Sequence, residues 1–162
     1  MLVRQLKPNE VHVHESVRLT ALSQSPRAFG DTLAAIQSKG DHYWKQLTER
    51  VCDVDAMLIA IEDERTVGMI YGLRDQYVRG GARLGGVWVE EQHRGRGAGR
   101  LLVKGALGWA RSQGCIAVRL WVGEDEEPAL ALYKSCGFML TRATLRFEHH
   151  PSRLLIEMHR TL

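Results

Sequence analysis

The stretch Val87-Trp88-Val89-Glu90-Glu91-Gln92-His93-Arg94-Gly95-Arg96-Gly97-Ala98-Gly99-Arg100-Leu101-Leu102 passes from a strand-like run through a glycine-rich turn into a helical pattern. That order builds an anion site. The first N–H groups of a helix have no partner within it and the helix dipole makes that end electropositive, so main chain alone can hold a diphosphate. Glycine at Gly97 and Gly99 removes a Cβ that would stand between backbone and ligand or forbid the dihedrals of the turn. Arg94, Arg96, Arg100 and Lys104 crowd positive charge into the same place. The stretch lacks the G-x-G-x-x-G fingerprint with an acidic residue about 20 positions on that marks dinucleotide binding, and it lacks the G-K-[ST] of triphosphate loops.

Outward from this loop, periodicity assigns the remaining elements. Residues 2–6 alternate as a short strand, and a helix opens near Pro8-Asn9-Glu10 and ends at Ser25-Pro26. Helical pieces follow at about 30–38 and 41–52, the second with Tyr43, Trp44, Leu47 and Val51 in an apolar stripe. Residues 57–61 and 66–73 read as a hairpin around Glu62-Asp63-Glu64-Arg65, and a further strand covers 82–89. A helix over 97–113 would bury Ala98, Leu101, Leu102, Ala106, Trp109 and Ala110, with Gly105 and Gly108 explained by close packing on a sheet. Ile116, Val118, Leu120 and Val122 form one face of a strand, Pro128 opens a short helix through Cys136, and strands at 138–145 and 153–158 end the chain. The order implies an α/β protein with a mixed sheet and helices on both faces.

Composition bounds the function. The 162 residues, 44% hydrophobic and 25% charged with four prolines, read as a single soluble domain over 1–162. A net charge of +3 suits one polyanionic ligand better than a nucleic-acid face. Cys52, Cys115 and Cys136 offer neither a disulfide framework nor metal-ligand spacing and suit a reducing cytoplasm. The start has no apolar core of signal-peptide length, and the run Ala56 to Ile61 is too short to span a bilayer, so neither export nor a membrane role is expected. His12-Val13-His14 and His149-His150 have no Cys or carboxylate at ligand spacing, so no metal is expected.

The loop Arg94-x-x-Gly97-x-Gly99 after a Val-ended strand, followed by Ala129, Leu132, Tyr133, Gly137 and Phe138 in an A-x-x-L-Y-x-x-x-G-F pattern, resembles the GNAT superfamily of acyl-CoA-dependent N-acetyltransferases. The resemblance covers nearly the whole chain. It implies a mostly antiparallel sheet of six to seven strands whose fourth and fifth members splay apart to admit the acyl-CoA arm. It implies acetyl-CoA as co-substrate, held by N–H groups between Gly95 and Arg100 (Arg96, Gly97, Ala98 and Gly99 among them), with charge from Arg94, Arg96 or Arg100. The Val89 backbone would pair with pantetheine amides, the Val87 N–H would polarise the acyl oxygen, and Tyr133 would protonate the departing thiolate and contact the cofactor.

The chain departs from that family twice. Where some members carry a glutamate in the fourth strand, Arg83, Leu84, Gly85 and Gly86 stand, leaving Glu90, Glu91 and His93 as candidates for the base and none assigned. Glu126 replaces a frequent asparagine, in an acidic run that either suits a helix N-terminus or draws in a cationic amine. Trp88 and Trp121 belong to the two strands flanking the expected gap and are candidate walls for an acceptor pocket. The expected activity is direct attack of an amine, small-molecule or peptide, on the thioester without a covalent enzyme intermediate. A non-catalytic acyl-CoA-binding module is the alternative, and the acceptor and a homodimer are left open.

Overall fold

In the first third of the chain the polar and apolar residues alternate with helical period, and the computed structural model, which describes residues 1–162, folds them accordingly. Strand β1 (Leu2–Gln5) leads to α1 (Val11–Gln24), which buries His14, Val17, Ala21 and Leu22 along one stripe. A 3-10 turn at Pro26–Ala28 follows, then α2 (Leu33–Gln37), whose start is capped by the Thr32 side chain accepting from the Ala35 N–H. The helix expected over 30–38 is thus cut to five residues, because the chain leaves Phe29 in an extended conformation and only Thr32 supplies a cap. In α3 (Asp41–Asp53) Trp44, Thr48 and Val51 face inward, with Asp41 in the first turn and Arg50 in the last complementing the dipole.

The β2 (Ala56–Glu62) and β3 (Arg65–Arg74) hairpin turns at Asp63 and Glu64, both with positive φ (47° and 63°), the pairing that matches the right-handed twist of the strands. Next come β4 (Gly81–Val89), α4 (Ala98–Ser112), β5 (Ala117–Gly123), α5 (Glu127–Ser135), β6 (Met139–Phe147) and β7 (His150–Thr161). One seven-stranded sheet results, in the order β1-β2-β3-β4-β5-β7-β6, antiparallel except between β4 and β5. The expected class, mixed and mostly antiparallel with helices on both faces, is the one observed.

Two cores flank the sheet. Helices α4 and α5 cover one face, where Leu102, Val103, Ala106, Leu107 and Ala110 meet Val67, Ile70, Leu84, Val118, Leu120 and Met158. Helices α1–α3 cover the other over β1–β3, where Trp44, Leu22 and Val51 meet Met57, Ile59 and Met69. The buried face of α4 is rotated from expectation: Leu101 is 42% exposed, and Val103 and Leu107 take its place. Close approach explains Gly105, where a Cβ would lie 2.5 Å from Leu58 Cδ2, but not Gly108, which faces open space. Ile116 precedes β5 and is 66% exposed, so only Val118, Leu120 and Val122 form the buried face. Strands β6 and β7 run longer than their side chains indicated, because backbone pairing continues down to Phe147↔His150, with Arg146 donating to the Pro151 carbonyl.

Sequence reading passed over the polar group inside the second core. His14 is fully buried, with Nδ1 2.9 Å from Thr48 Oγ1 and Nε2 2.6 Å from the Tyr71 hydroxyl. Burial, aided by the Arg18 charge, lowers its pKa from 6.5 to about 4, so the folded protein holds it neutral. The folded state therefore binds fewer protons than the unfolded one between those values. This contribution to stability is complete above pH 6.5 and is lost as pH falls toward 4, by on the order of 3 kcal/mol. Urea unfolding from pH 8 to pH 4 should show the loss in the native protein and a flatter profile in His14→Gln; superimposable profiles would refute the assignment.

Candidate active site

Strand β4 is irregular at its centre. Its register with β3 runs Gly68↔Val89 and Met69↔Trp88, then resumes at Tyr71↔Gly85, so Gly86 and Val87 oppose the single residue Ile70. This is a β-bulge, which bends a strand and leaves its extra residue outside the ladder. Gly86 has φ +59°, and a Cβ there would lie 2.7 Å from Tyr71 Cδ2, so both dihedral and space demand glycine. On its other edge β4 pairs with β5 only from Gly81↔Ala117 to Leu84↔Leu120, whereas β5 continues along β7 to Gly123↔Leu155. Beyond Leu84 the two parallel strands have separated. Gly86 and Val87 hold no register position on either neighbour.

The chain leaves β4 through a 3-10 turn at Glu91–His93 and enters the loop. Gly95 (φ +74°) and Gly97 (φ +89°) are left-handed, and Gly97 is the N-cap of α4 with no side-chain cap. The first N–H groups of α4 are therefore free for a ligand. At Gly97 the constraint is dihedral, since an added Cβ would meet nothing. At Gly99 it is packing, since a Cβ would lie 3.0 Å from Leu132 of α5.

Loop, separated strand and α5 enclose one cavity of about 1000 Å³. Its walls include Val87, Trp88 and Val89 of β4, Arg94, Gly95, Gly97, Ala98, Gly99 and Arg100 of the loop, and Pro128, Ala129, Leu132 and Tyr133 of α5, closed by Gln24 to Ala28. Arg96 is not among them. Its guanidinium turns away to Glu62 at 3.6 Å. Arg94 reaches back, Nε donating to the Val89 carbonyl at 2.9 Å, and so ties loop to strand at the cavity edge. Tyr133 is 6% exposed, edge-on to Phe138, so the ordinary expectation of a helix tyrosine with its hydroxyl at the surface does not hold here. Burial, with the Glu126 charge adding to it, pushes the phenol pKa upward and keeps the proton on.

The three candidate bases fare differently. Glu91 is exposed. His93 lies between two carboxylates, Nδ1 3.1 Å from Glu90 and Nε2 3.5 Å from Glu62, while Arg65 and Arg96 approach those acids at 3.6 Å each. These approaches bring the loop against the β2–β3 hairpin. Two members of the acidic run are already paired. Arg153, its side chain 5% exposed, donates to Glu126 at 2.8 Å and to Asp125 at 3.4 Å, and also to the Arg27 carbonyl. Arg27 itself pairs with Asp125 at 3.2 Å, so the 3-10 turn is strapped across the end of the separated strands. Cys136 is buried.

Trp88 packs in the helical core and lines the cavity, whereas Trp121 stands half-buried on the sheet face away from α4. Sequence reading missed the cluster behind the bulge, where Arg18 stacks over Phe29 at 4.5 Å and pairs with Asp31 at 2.7 Å, close to Tyr71 and His14. The one available signal was His14 and Arg18 four residues apart on a helix, which places them on one face.

Comparison with known proteins bears on this geometry. Residues 23–138 match the acetyltransferase (GNAT) family. The aminoglycoside N(6')-acetyltransferase type 1 of Stenotrophomonas maltophilia is 30% identical over 111 residues, 64% of this chain and 72% of that protein. An uncharacterized N-acetyltransferase of Methanocaldococcus jannaschii is 30% identical over 100 residues, 59% of this chain, and the match spans 43% of that longer protein. The structure of yncA from Salmonella typhimurium, solved with its cofactor acetyl-CoA, superposes with a TM-score of 0.79 over 100% of this chain and 94% of that one; at 18% identity it speaks for the fold alone. A family match over most of the chain, on a sheet whose fourth and fifth strands part beside a glycine loop, places the protein in the GNAT family of acetyltransferases.

Proposed function

We propose that residues 1–162 form one catalytic domain that transfers an acetyl group from acetyl-CoA to a primary amine by direct attack in a ternary complex. The observation that carries this reading is the bulge at Gly86 and Val87, beyond the last residue of β4 that pairs with β5, with Val87 lining the same cavity as the glycine loop and Tyr133. The N–H groups from Gly95 to Arg100 hold the pyrophosphate, where hydrogen bonds to a charged partner contribute roughly 1.5–3 kcal/mol each. Arg94 and Arg100 add charge at the cavity wall, and Arg96, drawn toward Glu62, contributes at longer range. The Val89 backbone pairs with the pantetheine arm, completing the ladder that β5 abandons.

With the arm so placed, the Val87 N–H points at the thioester oxygen, on which negative charge grows as the amine attacks. A C–N bond forms, the C–S bond breaks, and the sulfur leaves as thiolate. Tyr133, kept protonated by burial, gives that thiolate its proton and recovers one from the acceptor side through solvent. The three cysteines, all free, suit the reducing cytoplasm as the place of action.

Two variants test the reading. Tyr133→Phe should lower kcat by about 100-fold or more while leaving acetyl-CoA affinity within about twofold, as expected for lost general-acid catalysis. Unchanged turnover would remove Tyr133 from the mechanism, and a matching loss of affinity would make it a packing residue. Gly97→Val should abolish the micromolar acetyl-CoA binding expected of the native protein, worth about −8 kcal/mol in calorimetric titration. Undiminished binding by the folded variant would show that the ligand sits elsewhere.

A further inference from the structure

Beyond the last pair of β5 with β7, Gly123↔Leu155, strand β7 carries Arg153 two residues farther out, on the same face as the buried Leu155. Its guanidinium lies over Gly123, where an added Cβ would come 2.8 Å from Cζ, so glycine at the end of β5 makes room for it. Each of its three nitrogens has an acceptor. Nη2 donates to Glu126 at 2.8 Å, Nε to Asp125 at 3.4 Å, and Nη1 to the Arg27 carbonyl. Glu126 and Arg27 both line the cofactor cavity, one at the head of α5 and the other in the turn that closes it. A single buried side chain thus bonds to two walls drawn from distant parts of the chain.

Glu126 is the N-cap residue of α5, yet its carboxylate caps no helix N–H and turns to Arg153 instead. Its side chain is 44% exposed, and its charge is felt along α5 at the Tyr133 phenol. A carboxylate in that wall opposes a polyanionic ligand, because like charges repel most strongly where water is displaced. Four charges meet at this point, Arg27 and Arg153 against Asp125 and Glu126, and they balance only with Arg153 in place. Arg27 does not take over its part. The Arg27 pair with Asp125 at 3.2 Å is exposed on both sides, where solvent weakens it, and Arg27 forms no ion pair with Glu126. A buried ion pair does little for stability on its own, since apolar side chains of similar volume often serve as well. The effect of Arg153 on the cavity wall accounts for it better.

Resting on the acetyltransferase reading above, we infer that Arg153 is a positioning residue for the cofactor. It cancels and orients the Glu126 carboxylate in the cavity wall and joins the Pro26–Ala28 turn to the head of α5, so that the phosphates of acetyl-CoA meet no unbalanced negative charge there. Arg153 touches no reacting atom and acts through Glu126 and the turn.

The test is calorimetric titration with acetyl-CoA of the native protein, Arg153→Gln, Arg153→Lys, Glu126→Gln and the double variant Glu126→Gln/Arg153→Gln, each checked for folding by circular dichroism. Arg153→Gln should bind acetyl-CoA about tenfold more weakly or worse, a deficit that shrinks as salt is raised, because it uncovers negative charge in the wall. Arg153→Lys keeps the charge and should stay within about threefold of native, and the double variant, with no carboxylate left uncancelled, should recover to that range. Glu126→Gln alone should bind no more weakly than native. Native-like affinity in Arg153→Gln would overturn the inference. So would a deficit that the double variant leaves unrelieved, which is what lost packing alone gives, or a Glu126→Gln variant that binds more weakly than native. If Arg153→Gln does not fold, the other two single variants still decide, since a loss of about tenfold in either contradicts the assignment. Native affinity separates the two levels: if the native protein binds while the variants break this pattern, only the role of Arg153 falls, and if it does not bind, the acetyltransferase reading falls with it.

Discussion

A break in the hydrogen-bonded ladder of β4 is the constraint on which the rest of this structure depends. Buried backbone groups are almost always paired, and a parallel strand pair that stops in mid-sheet leaves such groups without partners. Here the break is imposed by Gly86, whose positive φ and lack of a side chain let Tyr71 press against the strand and turn it from β5. The sheet survives because β5 finds β7 instead and because α4 and α5 seal the far face with a continuous apolar core. What the break provides is a stretch of β4 that β5 no longer pairs, with Val87, Trp88 and Val89 lining the cavity beside the glycine loop.

Electrostatics is arranged to hold that geometry in place. The positive end of α4 is capped by a left-handed glycine and no side chain, so its field is left for a ligand. Behind it Arg65, Glu90, His93, Glu62 and Arg96 tie the loop to the β2–β3 hairpin, and Arg153 straps the Pro26–Ala28 turn to the head of α5. Titratable groups that looked catalytic along the chain thus mostly brace the loop. The Tyr133 phenol, kept protonated by burial at the cavity wall, takes no part in that bracing.

The fold and half of the site were legible because they rest on local chemistry. A glycine loop between strand and helix, a proline-opened helix and a two-residue hairpin turn each carry their signal in adjacent residues, and these placed Val87, Val89, Gly95, Gly97, Ala98, Gly99, Arg100 and Tyr133 around what proved to be one cavity. Side-chain direction was not legible. Nothing in the sequence says that Arg96 turns to Glu62 while Arg94 turns to Val89, nor that Leu101 faces solvent while Val103 faces the sheet. The bulge that sets Gly86 and Val87 against Ile70 was hidden altogether, because it exists only through the register of two strands. His14 was weighed as a metal ligand and set aside, and its actual neighbours, Thr48 and Tyr71, lie in elements that periodicity cannot bring together.

The central claim is that the parted segment of β4, together with the first turn of α4, receives the cofactor. Amide spectra of the isotope-labelled protein during titration with acetyl-CoA test it most directly, residue by residue and without any acceptor. The account predicts saturable shifts at Val87, Val89 and Gly97 to Arg100, with the β1–β2 pair undisturbed. Saturable binding that leaves the Val87 and Val89 amides unmoved would contradict it.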